Sequence, residues 1–265
     1  MKISILFVLF AFLFSCASKE KLPEGTRGCF LLYNLKTKAF EKKVGEACQE
    51  RFPACSTFKV PLAVMAFDSG VLKNETQVLK WDGQKRMLEA WNKDQDARSW
   101  MKESVVWFSQ RLTPELGEKK LQHYLDTFHY GNRDISTGIT TAWLNAPNDH
   151  RGSLGITAYE QIDFMKKLWT DQLPASPRSM ELARKITYLE TSPGGFELSG
   201  KAGSNFYDSG RKVQFGWFIG HVRKGNREYL TAANISDPRP VETDKYGGFR
   251  AKEFTKEMLK KLNLW

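Results

Sequence analysis

FPACSTFKVPLAVMAF, residues 52–67, passes from a turn-like Pro-Ala-Cys segment into a run of apolar residues, with a serine and a lysine three apart at the junction. On a helix that begins near Ser56, this spacing puts Ser56 and Lys59 one turn apart on the same face, where their side chains can meet. A serine needs a base beside it to become a nucleophile. A bare S-x-x-K also describes a helix-capping serine followed by a solvated lysine, so the rest of the chain has to decide.

Upstream, GCFLLYNLKTKAFEKKV (28–44) reads as two strands joined by a Lys-Thr turn. Helical signals dominate from about Thr76 to Glu190. Tyr159 to Trp169 sets Ile162, Met165 and Trp169 on one face, and Ser176-Pro177 is a cap followed by a first-turn proline. The period then changes. FELSGKAG (196–203), VQFGWFIGHV (213–222) and EYLTAANI (228–235) are short β-branched and aromatic runs, separated by glycines and the turn RKGNR, which predicts antiparallel strands. RAKEFTKEMLKKLNLW (250–265) is an amphipathic helix with Phe254, Met258 and Leu262 four apart. Strands near both ends enclosing a helical middle imply one sheet built from distant segments, with an all-helical lobe, about 70–186, inserted. A ligand is expected in the cleft between them.

The chain opens MKISILFVLFAFLFSCASKE, a positive Lys2, an apolar run from Ile3 to Phe14, then small residues. That run is shorter than the ~20 residues of a membrane span and reads as a secretory leader, residues 1–17, ending in the cell envelope. Leu13-Phe14-Ser15-Cys16 resembles a lipoprotein box, which would lipidate Cys16 and tether the protein to a membrane; ordinary cleavage after Ala17 is the alternative. Residues 18–27, SKEKLPEGTR, look like a polar tether, and 28–265 are long enough for one large domain or two intimately packed lobes. The net charge of +10 is scattered, with no long basic run and no interleaved aromatics, which argues against nucleic acid and for a surface that attracts anionic ligands. Cys29, Cys48 and Cys55 show no C-x-x-C and no histidine pair, so no metal is expected. Cys48 and Cys55 are placed to bridge a short loop, with an unpaired buried thiol the equal alternative.

Gly195 to Ala202 nearly spells a phosphate-binding loop, but Ala202 lacks the metal-binding hydroxyl and no helix follows. There is no G-x-S-x-G elbow, and His123, His129, His150 and His221 have no spacing that recommends one as a base or ligand. Ser56 therefore needs a base other than histidine, and Lys59 stands in the right place.

Ser56-Thr57-Phe58-Lys59, Ser104-Val105-Val106, Tyr130-Gly131-Asn132, Trp143-Leu144 and Lys201-Ala202-Gly203 resemble, in order and spacing, the active-site elements of class D serine β-lactamases, the oxacillinases. WDGQKR (81–86), WNKDQDARSW (91–100) and VVWFSQ (105–110) are similar to that family's helical lobe. The resemblance runs from about Gly28 to the C-terminus. It implies an α/β protein of the α+β kind with the β-lactamase/transpeptidase-like fold: a central antiparallel sheet flanked by helices, an all-helical lobe, and the site in the cleft. It implies a β-lactam substrate attacked by Ser56, giving an acyl-enzyme that water hydrolyses. Lys59, desolvated by Phe58, Val106, Trp143 and Leu144, is expected to take up carbon dioxide (or bicarbonate) as N6-carboxylysine and serve as the base, held by the Trp143 indole; no other cofactor is implied. Ser104, helped by Lys201, resembles the proton relay. The backbone N–H groups of Ser56 and Ser204 would form the oxyanion hole, and Gly203 would let substrate approach its strand.

Arg250 in GGFRAK stands where the family keeps an arginine for the substrate carboxylate. The middle of the third element is Ala202 rather than Thr or Ser, which removes a hydroxyl from carboxylate anchoring. Two rivals share the serine-lysine core: a penicillin-binding D,D-peptidase, and a β-lactam sensor that stays acylated. Length and the Val106–Trp143 pocket favour the hydrolase over the first. Such sensors are fused to membrane spans, and no further run of that length follows the leader.

Overall fold

The computed structural model describes residues 20–144, 153–206, 210 and 212–265. The leader and Cys16 lie outside the described residues. Strand β1 (Arg27–Asn34) pairs with β2 (Ala39–Val44), and the chain then passes through β3 (Phe52–Pro53) and a tight 3-10 turn, Cys55–Phe58, into α1 (Lys59–Asp68). Helices α2 (Ala97–Glu103), α3 (Val106–Leu116) and α4 (Glu118–Phe128) follow. Strand β4 (Gly155–Ile156) pairs with β3, and α5 (Ala158–Trp169) and α6 (Pro177–Ile186) complete the helical lobe. Strands β5 (Tyr188–Thr191), β6 (Glu197–Phe206), β7 (Gln214–Lys224) and β8 (Arg227–Ser236) return to the sheet before α7 (Gly247–Lys261).

The main sheet runs β2-β1-β8-β7-β6-β5, every neighbour antiparallel, so the first and last strands of the chain meet at β1–β8. Period-two alternation explains its two dry faces. Leu31, Trp217, Ile219 and Leu230 point toward the helical lobe, whereas Phe30, Leu32, Phe218 and Ile235 meet Phe254, Met258 and Leu259 of α7. Helix α1 is buried from Lys59 through Phe67. A helix apolar on every side belongs inside a core, and α1 lies against α6 and α3 there. The expected cap holds: Ser176 accepts the Ser179 N–H and Pro177 is the first helical residue. Thr157 with Glu160, and Asp96 with Ser99, add reciprocal capping boxes.

Two expectations are corrected. The stretch from Thr76 to Asp96, read as helical, contains no α-helix, only a single 3-10 turn and an isolated bridge between Leu79 and Gln95. Short polar side chains capture its backbone instead: Asp94 takes the Trp81 N–H, Asp82 the Gln84 N–H and Asn92 the Arg86 N–H. Cys48 is bonded to Cys29 on β1, not to Cys55, which is a buried free thiol.

Candidate active site

The turn that carries Ser56 is fixed from below. Its entry residue, Cys55, has φ +50°, a left-handed conformation costly for a side-chain-bearing residue and common where function requires strain. The Cys55 N–H donates to the Trp143 carbonyl at 3.0 Å, and the Trp217 indole N–H donates to Pro53 O at 2.9 Å. Thr57 Oγ1 donates back to Ala54 O and accepts from Gln161 Nε2 at 2.8 Å, which ties the turn to α5. Because Ser56 lies in a 3-10 turn and Lys59 opens α1, residues three apart nearly eclipse. Lys59 Nζ lies 3.1 Å from Ser56 Oγ.

Lys59 is fully buried. Burial pushes its amine well below the ordinary lysine value; the Lys201 charge adds to this and the neighbouring Cys55 opposes it. Burial also lifts the Cys55 thiol to about 12, so it is an inert apolar neighbour, not a second nucleophile. Phe58 stacks on Trp143 with centroids 5.0 Å apart and tilts against Tyr130 at 5.8 Å. Trp143 is buried, and its indole Nε1–H has no hydrogen-bond partner among the described residues. A buried N–H left unpaired costs ~1–3 kcal/mol, so this donor is held in place for something.

From the sheet side comes β6. Lys201 is buried, its Nζ donates to Ala202 O at 2.8 Å, and burial, with help from the Lys252 charge, brings its amine down to about 7. A Cβ on Gly203 would sit 2.9 Å from Ser56 N and 3.0 Å from Cys55 Cβ. The glycine thus admits the Ser56 turn, which is pressed against the strand. Ser204 Oγ accepts the Gly248 N–H of α7 at 2.9 Å. Ser104 closes α2 in the left-handed region at φ +59°, and Val106 is the first residue of α3. Asn132 clamps the loop before β4, accepting the Gly155 N–H at 3.0 Å and donating to Ser153 O, while Leu144 is half-buried against the core beside Trp143.

Arg250 stands near the start of α7. Both its terminal nitrogens donate to Asp237, at 2.7 and 2.8 Å, in a bidentate pair. Nothing in the sequence singled out Asp237, which lies in the loop after β8. A nucleophile touching a neutral-leaning buried amine, with an unpaired donor beside it and β6 alongside, is equipped for acyl transfer. Among the described residues no cluster of metal-ligating side chains occurs.

The family model for the penicillin binding protein transpeptidase domain matches residues 25–260. The chain is 34% identical over 251 residues to Beta-lactamase OXA-1 of Escherichia coli, covering 92% of this chain and 87% of that protein. Among solved structures, the class D beta-lactamase BAT-2 superimposes with a TM-score of 0.79 at 31% identity, over 91% of this chain and 93% of that one. The C-terminal domain of the Bacillus licheniformis BlaR penicillin-receptor gives 0.81 at 30% identity, over 91% and 92%. The chain thus belongs to the transpeptidase-domain superfamily and, within it, to the class D β-lactamase family.

Proposed function

We propose that this protein hydrolyses the β-lactam amide of penicillin-type antibiotics through an acyl-enzyme on Ser56, with carbamylated Lys59 as the base. The observation that carries the reading is the pairing of a fully buried Lys59 amine with an unpartnered, buried Trp143 N–H. A carbamate on Lys59 fits this pocket, since an amine driven toward its neutral form can capture carbon dioxide and the indole N–H is a ready donor to the resulting oxygen. Such a group supplies a carboxylate-type base at neutral pH.

The remaining work falls to the chain's own residues. Ser56 Oγ, 3.1 Å from Lys59 Nζ, is close enough to lose its proton toward that side chain as it attacks the ring carbonyl. The Ser56 N–H, at the start of its 3-10 turn, has no partner within that turn. With the Ser204 N–H it would receive the oxyanion. Ser104, in its left-handed conformation, and Lys201, whose amine at about 7 can hold or release a proton, would return one to the leaving nitrogen. The Cys29–Cys48 disulfide supports the periplasmic setting that the leader implies.

The likeness to the BlaR penicillin-receptor domain favours a second reading, a sensor that acylates without turnover. Intact mass and ring absorbance, followed together on the protein with a penicillin, separate them. Ring opening over many turnovers with recovered mass is the expected result, and a lasting adduct on Ser56 would mean a sensor. Ser56→Ala should abolish labelling and hydrolysis, by several orders of magnitude in rate; labelling that persisted elsewhere would overturn the assignment.

A further inference from the structure

Two tryptophans bracket the element that carries Ser104. Glu103 is the last residue of α2, so its carbonyl is among those that a helix leaves without an internal partner. The indole N–H of Trp91 donates to it at 2.9 Å. The Trp91 carbonyl in turn accepts the indole N–H of Trp107, the second residue of α3, at 2.8 Å. Trp91 is thereby bonded to the chain just before Ser104 and again three residues beyond it. From α2 itself, the Trp100 carbonyl accepts the N–H groups of both Ser104 and Val105.

Trp91 is itself well held. It closes the 3-10 turn Glu89–Trp91, and its half-buried ring packs against the main core. Side chains knit the loop around it: the Arg86 N–H donates to Asn92 Oδ1 at 2.7 Å, Asn92 Nδ2 to Arg86 O at 3.1 Å, and Gln95 Nε2 to Ala90 O at 2.8 Å. The Arg86 guanidinium lies 5.6 Å over the buried Trp107 ring. Ser104 needs such a frame, because at φ +59° it holds a left-handed conformation that a side-chain-bearing residue keeps only where its surroundings enforce it.

We infer that Trp91 is a positioning residue for the proton relay: by gripping Glu103 and Trp107 at once, it keeps Ser104 in the left-handed state from which its hydroxyl serves the leaving nitrogen. The inference rests on the reading of Ser104 as that relay. As the ring C–N bond breaks, the Ser104 hydroxyl gives its proton to the nitrogen and takes one from Lys201, which requires the hydroxyl oxygen within about 2.6–3.2 Å of the nitrogen. A slackened frame lets Ser104 relax toward ordinary backbone conformations and swings the hydroxyl out of that range. Trp91→Phe keeps a ring in the core and the carbonyl that Trp107 uses, and deletes the donor to Glu103.

Acylation of the full chain by benzylpenicillin, followed by stopped flow and intact mass, would be compared in the parent, Trp91→Phe, Ser104→Ala and the double variant. Trp91→Phe should lower the acylation rate constant about tenfold, the scale of one hydrogen bond, with the dissociation constant of the first complex within about twofold. In the Ser104→Ala background the same change should have no further effect, because no hydroxyl is left to misplace. Equal losses in both backgrounds, or a weaker first complex at an unchanged rate constant, would overturn the inference and leave Trp91 a structural or substrate-contacting residue. Should Trp91→Phe fail to fold, Trp107→Phe, which removes the second bond, faces the same two criteria. No adduct in the parent, or a Ser104→Ala protein that acylates at the parental rate, would overturn the relay reading itself, whereas a slow Ser104→Ala beside a Trp91→Phe of parental rate overturns the Trp91 inference alone.

Discussion

Trp143→Phe isolates the indole N–H. The phenyl ring keeps the face that stacks on Phe58 at 5.0 Å and loses the unpaired donor. Two opposing effects act on the stability of the degassed, carbamate-free protein: removing a buried unsatisfied N–H returns ~1–3 kcal/mol, and the void left by the smaller ring costs about 1–2 kcal/mol. They nearly cancel. Since 1 kcal/mol moves the Tm of a domain this size by roughly 2–4 °C, the variant should melt within about 4 °C of the parent. Catalysis has no such compensation, because a charge-assisted hydrogen bond to a carbamate is worth ~1.5–3 kcal/mol. Each ~1.4 kcal/mol is tenfold, so half-maximal reactivation of degassed enzyme should need about 10- to 150-fold more bicarbonate. Acylation should persist while deacylation slows. The assay is steady-state turnover against bicarbonate in degassed buffer, with carbon-13 NMR of the lysine carbamate as a second readout. Identical bicarbonate curves for parent and variant, with no carbamate signal in either, would refute the reasoning and leave Lys59 acting as a free amine.

Gly203→Ala places a Cβ 2.9 Å from Ser56 N, so the turn must shift; because a displacement near 1 Å can cost about 10²-fold, acylation measured by stopped flow should fall by that order, and an unchanged rate would show that the turn yields freely. Lys201 gives up its proton near 7 when folded but keeps it to ~10.4 when unfolded, so unfolding takes up a proton between those values and stability rises with pH there by up to about 1.4 kcal/mol per unit. Tm should climb across that window and climb less in Lys201→Met; equal slopes would contradict the burial argument.

Local chemistry was the legible part. Ser56 and Lys59 are visible because three residues in one turn already determine their contact, and β7 and β8 stand out in the sequence as continuous apolar runs because both faces of the sheet are dry. The partners were not legible. Cys48 lies nearer Cys55 in sequence, yet it bonds Cys29, since β1 passes beneath the loop that carries Cys48. Asp237 sits in a loop without periodicity, so nothing local could announce its hold on Arg250. Thr76 to Asp96 misled because its hydrophobic spacing survives while Asp82, Asn92 and Asp94 satisfy the backbone in turns. The packing of Gly203 against the Ser56 turn was not legible either, because that neighbour is remote along the chain.

That the first strand pairs with β8 has a kinetic meaning. Ser56 and Lys59 are early in the chain, but the groups that dry and brace them, Trp143, Gln161, Lys201 and Trp217, come much later, and the sheet beneath them closes only when β8 docks on β1. Contacts this distant in sequence are expected to form late and to slow folding. In the unfolded chain Lys59 is an ordinary hydrated ammonium and Ser56 an ordinary alcohol. Reactivity in this chain is thus expected to report late folding events, and the appearance of covalent labelling during refolding would time the assembly of the site.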